Sequence, residues 1–309
     1  MNNGESHIGV DVSKGRLDID APVLGAFSVP NTGAGIRCLL GRLGVLKNPL
    51  LCCEATGGYE RLLVERAIAV GVPIAVVNAA WVRFFARSNG TLAKTDAIDA
   101  RALRRFGEQN RPRPLAPPPE WAGPLRQLLD RRSDLVDLRG GEACREGLAG
   151  GVALRFLKAH LRFIDRQIRS IDRALEALAL RHPVLGERSA RLRRVNSIGP
   201  VSALTLLGFL PELGRITDNQ AAALAGLAPY NNDSGTSGGP RAIRGGRARI
   251  RKTLYMAAVC ATRSNPILRE FYARLVEHGK PAKVALTAVM RKLVVLANRI
   301  LANPEFNPS

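Results

Sequence analysis

Lys94-Thr95-Asp96-Ala97-Ile98-Asp99-Ala100-Arg101-Ala102-Leu103-Arg104-Arg105-Phe106 is the stretch on which the reading of this 309-residue chain turns. Thr95 is placed as an N-cap, and the alanines and leucine behind it carry a helix onward. Asp96 and Asp99 are three residues apart, so their carboxylates stand on one face of the first turn and converge on one point. Two such acids can share a divalent cation, or they can simply favour the positive end of the helix dipole. Carboxylates arriving from strands decide between the two.

Upstream, His7 to Val12 alternates, with Ile8, Val10 and Val12 on one side and Asp11 near the end, which predicts a first strand. Arg16 to Ala21 and Gly25 to Val29 supply two more, an antiparallel meander in which Asp18 and Asp20 read as the wet polar face of an edge hairpin. Ile36 to Leu43 reads as a helix, Pro49 to Cys53 as a strand ending at Glu54, Tyr59 to Val70 as a helix and Val72 to Val77 as a strand. The predicted order is βββαβαβα, an α/β domain over residues 1–111 that closes on the helix bearing Asp96 and Asp99. Asp11 and Glu54 then end strands one and four, at the kind of strand-end crevice where α/β sheets hold ligands.

Asp11, Glu54, Asp96 and Asp99 make an oxygen-rich set suited to magnesium or manganese, hard cations that prefer carboxylates. The natural use is phosphoryl transfer, in which metal ions stabilise the attacking and leaving oxygens at a phosphodiester. Taken singly, Asp11 also reads as a turn former before Ser13 and Gly15, and Glu54 as a strand-end cap before Gly57 and Gly58. Composition agrees on the substrate: 46 Lys and Arg against 26 acids give a formal charge of +20 and a pI near 11.0, the signature of a polyanionic partner. No apolar run reaches about 18 residues and the first six residues resemble no signal peptide, so neither a membrane span nor secretion is expected. Five cysteines, two of them adjacent at Cys52 and Cys53, form no disulfide framework, and the four histidines show no zinc spacing.

Gly9-Val10-Asp11-Val12-Ser13-Lys14, Glu54-Ala55-Thr56-Gly57-Gly58-Tyr59 and Lys94 to Ala100 resemble, in order, the three acidic motifs of the DEDD transposases of insertion sequences, to which Piv-like DNA invertases are related. The resemblance implies an RNase H-like (RuvC-like) fold for the N-terminal domain, with Asp11, Glu54, Asp96 and Asp99 as catalytic metal ligands. It also implies a bacterial, nucleoid-associated enzyme of the cytoplasm acting on DNA, working as a dimer or tetramer. A structured guide RNA encoded beside the gene, pairing with both DNA partners, belongs to the same implication.

Six prolines between Pro112 and Pro124 predict an extended linker over 112–124. A helix from Leu125 to Arg139 follows, with a loose turn marked by Gly140, Gly141, Gly147, Gly150 and Gly151. Leu154, Leu157, Leu161, Ile164, Ile168, Ile171, Leu175 and Leu178 then step by three and four, a coiled-coil seam that pairs either with a second chain or with the preceding helix. This helical insertion spans 125–188, and the resemblance favours assembly through it. The mainly α remainder, 189–309, opens with Arg194-Val195-Asn196-Ser197-Ile198-Gly199-Pro200, similar to a helix-hairpin-helix turn except that Ser197 takes the place of its first glycine.

Thr217 to Gln220 has capping-box form. Beyond it, Gly226-Leu227-Ala228-Pro229-Tyr230-Asn231-Asn232-Asp233-Ser234-Gly235-Thr236-Ser237-Gly238-Gly239-Pro240 leads into Arg241, Arg244, Arg247, Arg249, Arg251 and Lys252, six cations in twelve residues. Glycines let backbone approach a phosphate and arginines clamp it, so these cations are expected to bind nucleic acid. In the resembled family, Gly-Leu-x-Pro followed by Ser-Gly marks a catalytic serine. Ser234 matches it, with Ser237 the rival. Since the acids and the serine lie in different domains, a site completed between subunits is expected. The alternatives are a metal-dependent junction-resolvase-like nuclease in which Ser234 is idle, and an inactive nucleic-acid-binding scaffold. An actin-like ATPase lacks its paired phosphate-binding loops.

Overall fold

A computed structural model describes residues 4–90, 96–230, 233–234, 237–238 and 242–307, with the backbone alone at 96–98, 230, 233–234 and 237–238. The chain divides into two compact units, Met1–Pro117 and Pro118–Ser309.

The N-terminal unit runs β1 (Ser6–Val12), β2 (Arg16–Ala21), β3 (Gly25–Pro30), α1 (Gly33–Arg42), β4 (Pro49–Glu54), α2 (Arg61–Ala69), β5 (Ile74–Val77), α3 (Ala79–Ser88) and α4 (Asp96–Asn110). One sheet in the order β3-β2-β1-β4-β5 holds all five strands, the first three antiparallel and β1, β4 and β5 parallel. The meander and the acid-bearing last helix follow the sequence pattern; α3 does not, and adds a helix between β5 and α4. The period of two sorts the strands onto two faces. Ile8, Val10, Val12, Leu51, Cys53 and Ile74 pack with Ile36, Leu39, Leu63 and Ala67 of α1 and α2. Cys52 and Val77 turn the other way, to Val82 of α3 and Ala102, Leu103 and Phe106 of α4. Both central cysteines are free and buried, and burial lifts the Cys52 thiol to about 12 and the Cys53 thiol well above its usual range.

The C-terminal unit is helical: α5 (Ala122–Glu146), α6 (Gly151–Arg181), α7 (Pro183–Leu192), α8 (Pro200–Phe209), α9 (Asp218–Leu224), α10 (Ala248–Ser264), α11 (Pro266–Glu277) and α12 (Ala282–Ala302). Between α9 and α10 lie the two-residue strands β6 (Pro229–Tyr230), β7 (Asp233–Ser234), β8 (Ser237–Gly238) and β9 (Ala242–Ile243). The expected break at Gly140-Gly141 is absent, because α5 runs through both and the turn falls at Gly147 to Gly150. Ion pairs flank these two poor helix formers, Arg139 with Asp165 at 2.5 Å across the hairpin and Arg145 with Glu142 at 2.8 Å within α5. The α6 seam closes on α5 within the chain, with Leu161, Ile164 and Leu175 buried and Arg132 bonded to Asp172 at 2.6 Å. Trp121, Leu125 and Leu129 at the base of α5 join Leu175, α8, α10 and α12 in one core.

Candidate active site

Two independent observations fix where the acids stand. Val10 pairs with Cys53 across the parallel β1 and β4, so Asp11 and Glu54 are the next residues along, roughly one strand spacing (about 4.8 Å) apart and on the same face. That face is the one α4 covers. Any Cβ on Gly9 would collide with the Ala100 carbonyl and the Arg104 amide nitrogen, while a Cβ on Gly107 would press on His7 and Cys52. The helix therefore runs back along β1 from its Asp11 end toward its His7 end, its backbone laid directly on the strand. Its first turn, from Asp96 to Asp99, precedes Ala100 and so lies toward the end of β1 at which Asp11 stands. Thr95, the expected cap, lies outside the described residues, and the Asp96 carboxylate does so too. Among the described residues no three His, Cys, Asp or Glu groups are close enough together to hold a metal ion. What the fold brings side by side is Asp11 and Glu54, two hard oxygen donors of the chemical class that magnesium and manganese take.

Asp18 and Asp20, expected to be wet, are not. Asp18 is the register partner of Asp11 on β2, its side chain 15% exposed and bonded by Arg16 at 2.9 Å. Asp20 is opposite Gly9, buried, and accepts from Arg104 Nε of α4 at 2.7 Å, with Glu108 taking Arg104 Nη1 at 2.6 Å. Burial alone would lower the Arg104 pKa, but the Asp20 bond and the two carboxylate charges outweigh it and raise it. Asp20 and Arg104 thus pin α4 one turn beyond Ala100, which sets how far its acids reach. A further residue absent from the sequence reading, Glu60, organises the loop after Glu54. It accepts from Thr56 N, Thr56 Oγ1 and Gly58 N at 2.9–3.1 Å, closing the turn that Gly57 and Gly58 make with φ of 72° and 118°. Burial alone would raise the Glu60 carboxyl; these bonds and its own backbone amide hold it below its usual value instead. Glu60 is structural, and Glu54 is the motif acid at the end of β4.

In the C-terminal unit Ser234 on β7 pairs in register with Ser237 on β8, so the serine and its rival stand directly across a two-stranded ribbon. Gly226 and Gly246, at φ of 70° and 65°, bring their backbones too close for any side chain, and this contact ties the base of the serine loop to the start of α10. The cations that follow divide into four groups. Arg241 lies outside the described residues. Arg247 clamps Glu212 with both Nη atoms at 2.6 and 2.7 Å and bonds the Phe209 carbonyl. Arg249 bonds Asp130 and the Leu129 carbonyl with its guanidinium carbon 4.1 Å from the Phe209 ring centroid, and Arg251 bonds the Gly245 carbonyl. These three guanidiniums have partners inside the unit: Arg247 holds the end of the loop to the end of α8, Arg249 holds it to α5, and Arg251 closes on the loop itself. Lys252 pairs with Asp137 at 2.8 Å with both side chains more than 60% exposed, a pair that a phosphate can replace. Arg244 is exposed with no ion pair among the described residues.

The α7–α8 turn takes a glycine-like backbone at its serine. Ser197 adopts φ of 99°, the left-handed region that favours glycine, and its buried Oγ has no hydrogen-bond partner among the described residues. Gly199 then serves as N-cap of α8 with Pro200 at its first turn.

Comparison with known proteins agrees along the chain. Residues 189–273 match the family described as Transposase IS116/IS110/IS902, and residues 8–145 match a second transposase family, of the DEDD type of IS110. The pilin gene-inverting protein of Moraxella lacunata is 25% identical over 314 residues, covering 96% of each chain. Its counterpart in Moraxella bovis is 26% identical over 317 residues, again at 96% of each. An uncharacterized 43.6 kDa protein of insertion element IS110 in Streptomyces coelicolor is 28% identical over 137 residues, which is 44% of this chain and 33% of that one.

Proposed function

Since the chain belongs to the IS110-type transposases, with Piv-like DNA invertases among its relatives, and is by that membership a DNA recombinase, we propose that it cuts and rejoins DNA strands using Asp11, Glu54, Asp96 and Asp99 together with Ser234. The N-terminal unit is read as RNase H-like, supported by the β3-β2-β1-β4-β5 order with β2 alone reversed between parallel strands and its neighbours. One observation carries the reading: Asp11 and Glu54 are register neighbours on the sheet face that the acid-bearing end of α4 covers. Asp11, Glu54, Asp96 and Asp99 would hold magnesium or manganese. When bound, the metal supplies Lewis-acid activation of a scissile phosphate and screens the four carboxylates from one another.

The chain's own residues do the rest. Asp20 and Arg104 fix the acids' helix, and Glu60 fixes the loop that follows Glu54. Ser234 is the nucleophile: its Oγ forms a bond to phosphorus and gives up its proton, while the sugar oxygen of the cut strand leaves and takes a proton. Arg244 and Lys252, one exposed and one in an exchangeable pair, meet the phosphates, and Arg247, Arg249 and Arg251 brace the loop that presents the serine. A homo-oligomer and a guide RNA belong to the same reading, supported by the family and by a net charge of +20 that suits a second polyanion. We place the protein with its DNA, on the bacterial nucleoid in the cytoplasm. Among the described residues no helix is long and apolar enough to cross a membrane.

Asp11→Asn tests the acid site. It removes one clustered charge while leaving the shape of the side chain, so the fold persists and strand cleavage of DNA carrying the gene's own flanking sequence is lost. Near-normal magnesium-dependent cleavage by Asp11→Asn at saturating DNA would refute the four-acid reading.

A further inference from the structure

The helix that the sequence pattern did not show, α3, carries the inference. Asn78 Oδ1 caps it by accepting from Ala80 N at 2.9 Å, immediately after Val77, the register partner of Glu54. The first turn of α3 therefore rises from the same strand edge as the acids, one strand over from Glu54. One side of α3 is fixed to the acid-bearing helix: Val82 is buried with Ala102 and Leu103, and Phe85 meets Phe106 edge to face with centroids 5.5 Å apart. The solvent-facing surface carries Trp81 and Phe84, 64% and 67% exposed and one turn apart, with Arg83 and Arg87, also exposed, beside them. Neither arginine has an ion pair among the described residues, and α3 contains no acid.

Two large aromatic faces held in water by a rigid helix cost hydrophobic free energy, and flanking cations without counter-charges mark the partner as anionic. A nucleobase on a phosphate backbone has both properties: its π-face stacks on an indole or phenyl ring and its phosphates meet guanidiniums. In a duplex those faces are already stacked on neighbouring base pairs, and Trp81 and Phe84 offer no set of donors and acceptors for reading base edges in a groove. We infer that Trp81 and Phe84, with Arg83 and Arg87, form a stacking platform for unpaired bases of the DNA strand that passes the Asp11–Glu54 edge. The strand is assigned as DNA because the platform shares its edge with acids read as acting on a DNA phosphodiester, so the inference rests on that reading. Holding splayed bases there would keep a strand single and in register beside the acids.

The test uses the full chain in EDTA, so that no cleavage intervenes and the outcome is independent of whether the acids cut DNA. The chain has two tryptophans, and Trp121 is buried at 7% exposure, which makes Trp81 the responsive fluorophore. An oligodeoxythymidylate of about 12 nucleotides is titrated against a duplex and an oligouridylate of equal length. The expected result is quenching of Trp81 emission by the single-stranded DNA, absent with duplex. Trp81→Ala should lower single-strand affinity about 10-fold with duplex affinity unchanged, and Trp81→Phe should recover most of the loss. Arg83→Ala with Arg87→Ala should flatten the salt dependence of single-strand binding, by roughly 0.7 in log–log slope per lost phosphate contact. Equal losses on duplex and single strand, or no loss in Trp81→Ala, overturns the platform. Preferential binding and quenching by the oligouridylate overturns the assignment to DNA.

Discussion

Gly9→Ala is the sharpest perturbation of the way the acids are placed. A Cβ at Gly9 would lie 2.5 Å from the Arg104 amide nitrogen and closer still to the Ala100 carbonyl oxygen, and both are backbone atoms of a helix interior that cannot rotate away. With ordinary contact separations near 3.5 Å, the closer of these contacts makes α4 withdraw by more than about 1 Å, and a gap of even about 1 Å forfeits up to half of the dispersion energy between facing atoms. Ala100, Leu103 and the Asp20–Arg104 pair all lose contact with the sheet at once. The expected cost is about 3 kcal/mol, the upper part of the overpacking range, or a fall in Tm of roughly 12 °C if the N-terminal unit melts by itself. Activity should fall further than stability. Asp99 moves with Ala100, and a 1 Å misplacement of a reacting group costs on the order of 100-fold in rate. Gly15→Ala is the control, since a Cβ there meets nothing within 4 Å. Thermal melts of both variants, with strand-cleavage rates measured well below either Tm, check this; a Gly9→Ala protein with wild-type stability and cleavage would refute the direct seating of α4 on β1.

Two further predictions concern the C-terminal unit. Ser197→Gly removes a side chain from the left-handed region together with a buried hydroxyl that has no partner among the described residues, and should stabilise the protein by about 1 kcal/mol in denaturant melts. For Glu212, burial alone would raise the carboxyl, but the paired bonds and charge of Arg247 hold it below the ordinary 4.5. A depressed folded pKa stabilises the protein above the unfolded value and is lost as pH falls through the folded one. Wild-type stability should therefore drop below about pH 4.5 more steeply than that of Glu212→Gln, whose acid limb is flatter in paired pH-dependent melts.

The elements that could be read from the sequence are those whose signal is local. Alternation in His7 to Val12, the Thr217 to Gln220 capping box and the three-and-four stepping of α6 each lie within one element, and each is found in the fold. What escaped depends on distant partners. Asp20 looked wet because the residue that buries it, Arg104, is 84 positions away. The partners of Arg247 and Arg249 were not legible because Glu212 and Asp130, which hold them, lie 35 and 119 residues off. The α3 helix was hidden by its own composition: Trp81, Val82, Phe84 and Phe85 populate both faces, so no single apolar stripe stands out, and only Val82 and Phe85 turn inward. The seam of α6 left two partners open in sequence, and within the chain it packs on α5 through Leu161, Ile164 and Leu175. For the candidate site, the four acids were named from motif order, but what brings Asp11 and Glu54 side by side is strand register, and what seats the acids' helix is the lack of a side chain at Gly9.

The central claim joins those acids to the serine. Wild-type protein and DNA bearing the gene's flanking sequence are allowed to react with magnesium, trapped in denaturant and digested, and the peptides are read by mass spectrometry. The account predicts a nucleotide attached to the peptide containing Ser234, with none in Ser234→Ala or Asp11→Asn. An adduct on Ser237 would move the nucleophile across the ribbon, and an actively cleaving preparation with no adduct on any peptide would contradict the account in favour of hydrolysis.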